Sequence, residues 1–121
     1  MVVATSGHVR FGDGLARYHI VDSSALDALD WLREQTPPGT LVMANESPSR
    51  VSYAWWVEGY AERPTYSLIV PDFLSFAEEK EQSMLASRLI DEATPPSEVE
   101  AILRETGIEY VFLDKRTGGR F

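Results

Sequence analysis

The chain contains no cysteine among its 121 residues. Disulfides, thiolate nucleophiles and cysteine-ligated zinc are therefore excluded. The absence does not place the compartment, because cysteine-free chains suit reducing and oxidising surroundings alike. Histidine is scarce: His8 and His19 stand apart, with no His-x-His or His-x-x-x-His companion. A loop or surface role fits them better than metal ligation. No run approaches the roughly 18–20 apolar residues that span a bilayer. The opening "MVVATSGHVR" lacks the apolar stretch of a signal peptide. Phosphate-cradling glycine loops, Gly-x-Ser-x-Gly and His-Glu-x-x-His are missing too. No catalytic residue, cofactor or metal ligand is assigned on these grounds.

What remains is the make-up of an ordinary soluble domain, with 44% hydrophobic and 25% charged residues. The length suits one domain, residues 1–121, able to bury a core without staples. Residues 1–21 form an ill-defined lead-in and 115–121 a tail. The net charge is -8. Most of it lies between Asp72 and Glu109, where ten carboxylates face only Lys80, Arg88 and Arg104. That balance argues against nucleic acid or an anionic lipid surface as a partner of this region. Lys115, Arg116 and Arg120 at the basic end are too few for a nucleic-acid patch.

Local patterns predict alternating helices and strands. "ARYHIV" (16–21) suits a short edge strand, after a Gly-Asp-Gly turn signal at 12–14. "SSALDALDWLREQ" has Leu26, Leu29 and Leu32 at helical spacing, a serine cap at Ser23 or Ser24, and a Pro37-Pro38-Gly39 stop. "TLVMAN" (40–45) reads as a buried strand. A helix over 51–62 ends near Gly59, and Pro64 then introduces a strand over 63–71. A helix over 72–93 takes Asp72 as its cap and Ala77, Met84, Leu85 and Leu89 as its apolar face. "SEVEAILRETG" (97–107) carries a Ser97–Glu100 capping box and a terminal Gly107. "IEYVFLD" (108–114) is a strand buried on both faces. This alternation predicts a small Rossmann-like, three-layer α/β domain with a short, mainly parallel sheet of about three to four strands.

In an open α/β sheet, ligands gather beyond the carboxyl ends of the strands. Those ends carry Asn45, Glu46, Ser47, Ser49 and Arg50, then Pro71 and Asp72, then Asp114, Lys115 and Arg116; of these, Ser47, Ser49, Arg50, Asp72 and Asp114 are the candidate binding residues. Arg50 with two serines near a helix start suits an anion, although no glycine lets backbone amides wrap a phosphate. Simple loop and cap chemistry explains the same residues. Asp27 and Asp30, one helical turn apart, read as solvated carboxylates.

"AWWVEGYAERPTYS" (54–67) is the stretch richest in aromatic residues. Neighbours on a helix point about 100° apart, so Trp55 and Trp56 cannot share one contact. One of them is expected on the sheet and the other on a neighbour or partner. Tyr53, Trp56 and Tyr60 form a stripe and are the candidate interface residues, since Trp and Tyr favour contact surfaces.

The order of these segments resembles the soluble extracytoplasmic domain of polytopic GT-C-type membrane glycosyltransferases, including the catalytic subunit of oligosaccharyltransferase. The resemblance rests on Trp31, Leu32, Pro38, Gly39, Gly59, Ala61, Arg63, Thr65, Gly107, Ile108, Tyr110 and Val111. It implies a domain excised from a larger bacterial membrane protein and lying on the extracytoplasmic side. Its partners would be the membrane-embedded portion of the same chain and a glycan or protein acceptor. It implies no catalysis by this domain alone, because the family's catalytic carboxylates sit on membrane loops. The family's Trp-Trp-Asp-Tyr-Gly motif does not match here: Val57 and Glu58 stand where Asp and Tyr are needed. Its acceptor-recognition role is not transferred. The competing expectation is a free-standing Rossmann-like module that binds a nucleotide or anion at the strand ends.

Overall fold

The computed structural model describes residues 2–5, 21–45, 52–66 and 76–117, with residues 2–5 and Lys115 described by backbone alone. The elements are β1 (Val2–Thr5), α1 (Ser23–Gln35), β2 (Val42–Ala44), α2 (Ala54–Gly59), α3 (Ala77–Ile90), α4 (Pro96–Thr106) and β3 (Tyr110–Asp114). A 3-10 turn, Lys115–Thr117, follows β3. The three strands form a parallel sheet in the order β1-β3-β2. Val2 pairs with Val111 and Thr5 with Asp114 on one side of β3, and Val42 pairs with Tyr110 on the other. An isolated parallel bridge joins Val42 to Thr65 beyond β2. The expected strand over 63–71 is thus seen only at its beginning, since residues 67–75 lie outside the described residues. A strand that the sequence reading did not place lies at Val2–Thr5; of the edge strand expected over 16–21 only Val21 is described, in a bend.

The helices cover both faces of the sheet. Val42, Ala44 and Phe112 pack with Ala25, Leu29 and Leu32 of α1 and Ala54 and Val57 of α2. Met43, Val111 and Leu113 pack with Ala86 and Leu89 of α3 and Val99 and Ile102 of α4. Successive residues of a strand point to opposite faces, so a strand buried on both sides must be apolar throughout. β3 meets that demand through Leu113, ends in the buried charged Asp114, and holds the centre.

Several helix starts differ from expectation. Asp22, not Ser23 or Ser24, caps α1, its Oδ1 accepting from the Ala25 amide at 2.8 Å. Within α1, Ala25 faces the core and Leu26 faces outward. α4 begins at Pro96, so Ser97 lies inside its first turn and the Ser97–Glu100 box does not form. Proline fits that place because a first-turn amide has no intrahelical partner to lose. Gly107 ends α4 in the left-handed region, at φ 72°. α3 begins at Ala77 with Phe76 as its cap, and Asp72 lies outside the described residues. Its buried residues are Ser83, Ala86 and Leu89, whereas Met84, expected inside, is 67% exposed. The polar run Glu78–Gln82 stays helical and faces mainly outward.

Candidate functional site at the strand ends

The carboxyl ends of β2 and β3 carry a connected polar cluster. Asp114, the last residue of β3, is fully buried. Its Oδ2 accepts from the Tyr53 hydroxyl at 2.9 Å. Its Oδ1 accepts from both the backbone amide and Nε of Arg116, each at 2.9 Å. Arg116 Nη2 closes a two-pronged ion pair on Oδ2. The same Nη2 lies 3.2 Å from Asp22 Oδ2 at the start of α1, without the alignment of a hydrogen bond. One guanidinium therefore joins the end of the central strand to the cap of α1.

Asn45, the residue after β2, completes the cluster. Its Oδ1 accepts from the Asp114 amide at 2.8 Å, and its Nδ2 donates to the Asp114 carbonyl at 3.2 Å and the Thr117 hydroxyl at 2.7 Å. The side chain acts as a short extra rung where the β2–β3 ladder stops. Its carbonyl accepts from the Tyr53 amide at 3.1 Å, which positions the start of α2. Tyr53 also packs its ring on Phe112, with centroids 5.2 Å apart.

The electrostatics follow from this wiring. Burial alone would raise the Asp114 carboxyl, but hydrogen bonds from Arg116 and Tyr53 outweigh it and hold the carboxyl below its ordinary value. Burial and then the bond to Asp114 push the Tyr53 phenol upward. Asp114 likewise holds Arg116 in its charged form. A carboxylate held this low is a weak base and a phenol held this high is a weak acid near neutral pH. The hydrogen bonds and ion pairs make the cluster a clasp between β3, α2 and the start of α1.

A buried cation, unlike the exposed Arg116, lies at the other end of α1. Arg63 is only 5% exposed. Its Nη2 donates to the carbonyls of Arg33 (2.6 Å) and Thr36 (2.5 Å). Its Nε donates to the Thr36 hydroxyl at 2.9 Å, and Nη1 to the carbonyls of Ala61 and Glu62. The Arg33 and Thr36 carbonyls are among those that the end of α1 leaves without intrahelical partners, and a cation complements the negative end of the helix dipole. Glu62 takes a positive φ of 56° to turn the chain into this position.

Of the predicted binding residues only Asp114 is described. Ser47, Ser49, Arg50 and Asp72 lie outside the described residues. Asp114 is at the strand end, as expected, but it faces protein groups on all sides. Tyr53 is not part of a surface stripe with Trp56 and Tyr60; it is fully buried beneath Asp114. Trp56 is 38% exposed and Trp55 64% exposed, so neither indole is buried on the sheet. The reason is the face α2 uses: Ala54, Val57 and Ala61 bring the backbone close to the sheet and leave both indoles outside. Tyr60 donates to Asp30 Oδ1 at 2.8 Å, with the Arg33 guanidinium 5.9 Å from its ring centre. Asp30 is therefore tied to α2 rather than simply solvated. Sequence reasoning missed Asp22 and the capping role of Arg63, and it placed Arg116 at the strand end without making it a candidate binding residue, although its two-residue spacing from Asp114 was a local signal.

Elsewhere, Tyr66, Glu78, Glu81, Gln82, Leu85, Glu105 and Thr106 line an open groove of about 330 Å³. Burial, then Glu105 and Glu81, raise the Tyr66 phenol. Among the described residues, no group of three or more His, Cys, Asp or Glu is placed to hold a metal ion. No helix among them is long and apolar enough to cross a membrane. No family model, no curated protein and no solved structure matches the chain.

Proposed function

We propose that this chain is a Rossmann-like, three-layer domain with a non-catalytic, contact-making role on the extracytoplasmic side of a bacterial membrane. In this reading it is the soluble portion of a lipid-linked-sugar glycosyltransferase. Its partners are the membrane-embedded portion of the same chain and a glycan or protein acceptor. The observation that carries the non-catalytic part is the saturation of Asp114: its carboxylate is occupied by Tyr53 and Arg116, at the place where an α/β sheet would present reactive groups. The contact-making part draws support from Trp55 and Trp56, which stand outside the core on a short helix. The membrane context draws on the ordered resemblance from Trp31 through Val111.

Fractionation of the source cells, probed with an antibody to this domain, tests the reading. The expected band is much larger than 13.6 kDa and stays in the carbonate-washed membrane pellet. A soluble band at the size of the chain itself would overturn it. Thermal shift of the isolated chain with nucleotides and sugar phosphates is the complementary assay, because a ligand that binds only the folded state must raise Tm. No shift is expected. A rise of several degrees that Arg50→Ala abolishes would favour an anion-binding module instead.

A further inference from the structure

We draw no further inference here: the strongest candidate, the carboxylate-rimmed groove formed by α3, the end of α4 and Tyr66, is an acidic cluster with no second observation among the described residues that points to a ligand.

Discussion

The Tyr53 hydroxyl donates to the carboxylate of Asp114 across 2.9 Å, and both residues are fully buried. The pair joins α2 to the end of the central strand. A hydrogen bond to a buried charge contributes about 1.5–3 kcal/mol. Tyr53→Phe keeps the ring packing on Phe112 and removes only the donor. It is expected to lower stability by about that amount in urea unfolding at neutral pH. The double variant with Asp114→Asn should destabilise by less than the sum of the two single changes. Strict additivity would show that the bond contributes nothing of its own.

The same pair sets the pH limits of stability. Asp114 titrates below its ordinary 3.8 in the folded chain. Its contribution is present above that value and is lost as pH falls through the lower, folded value. Tyr53 titrates above its ordinary 10.0. Its contribution is present below 10.0 and is lost as pH rises beyond it. A series of urea midpoints across pH should therefore show a plateau flanked by an acid and an alkaline decline. Tyr53→Phe should reduce the alkaline slope by up to about 1.4 kcal/mol per pH unit. Tyr60 and Tyr66, also raised, will leave a residual slope. An unchanged alkaline limb would contradict the assignment.

α1, α4 and β3 were legible in the sequence because their signals are local. The leucine spacing, the Pro37-Pro38-Gly39 stop, the left-handed Gly107 and the largely apolar run at 110–113 each need only neighbours to act. The face of α2 was not legible, because which residues meet the sheet depends on how closely the helix can approach. Ala54, Val57 and Ala61 permit close approach, and the bulkier indoles are displaced. The rule that sites lie at strand ends located Asp114, yet its partner Tyr53, and Asp22 on the far side of Arg116, come from distant parts of the chain. Arg63 was hidden for another reason. Charged residues are almost always outside, and a buried guanidinium shared among backbone carbonyls leaves no pattern in the sequence.

Arg63 should be among the most sensitive positions in the chain. Arg63→Met fills similar space but removes every donor from carbonyls that are then left without partners. Each unsatisfied buried polar group costs about 1–3 kcal/mol, so a loss of about 3 kcal/mol or more is expected. Arg63→Lys should recover only part of it, since one ammonium cannot reach acceptors on both sides. Hydrogen exchange should report the loss first in the last turn of α1. Equal exchange in Arg63→Met and the parent chain would contradict the capping role.

Gly107 offers a cleaner backbone test. A Cβ added there meets nothing within 4 Å, so no clash contributes. The left-handed φ of 72° is the only obstacle. Gly107→Ala should cost about 1–2 kcal/mol, visible as a lower Tm with an unchanged circular dichroism spectrum. Gly107→Asn should cost less than Gly107→Ala, because asparagine tolerates this region better.

The indoles of α2 should behave in the opposite way from Arg63. Trp55 is the more exposed of the two and has little packing to lose. Trp55→Ser should change stability by no more than about 0.5 kcal/mol. Trp56→Ser should cost somewhat more, because over half of that residue is covered. The proposed contact role adds a second expectation. The Trp55→Ser/Trp56→Ser double variant should remain folded by circular dichroism while losing co-purification with the membrane-embedded portion of the parent protein. Retained co-purification would move the contact elsewhere on the surface. A double variant that unfolds would instead show that α2 depends on its outward face, against the arrangement in which Tyr53, Ala54, Val57 and Ala61 dock it on the sheet.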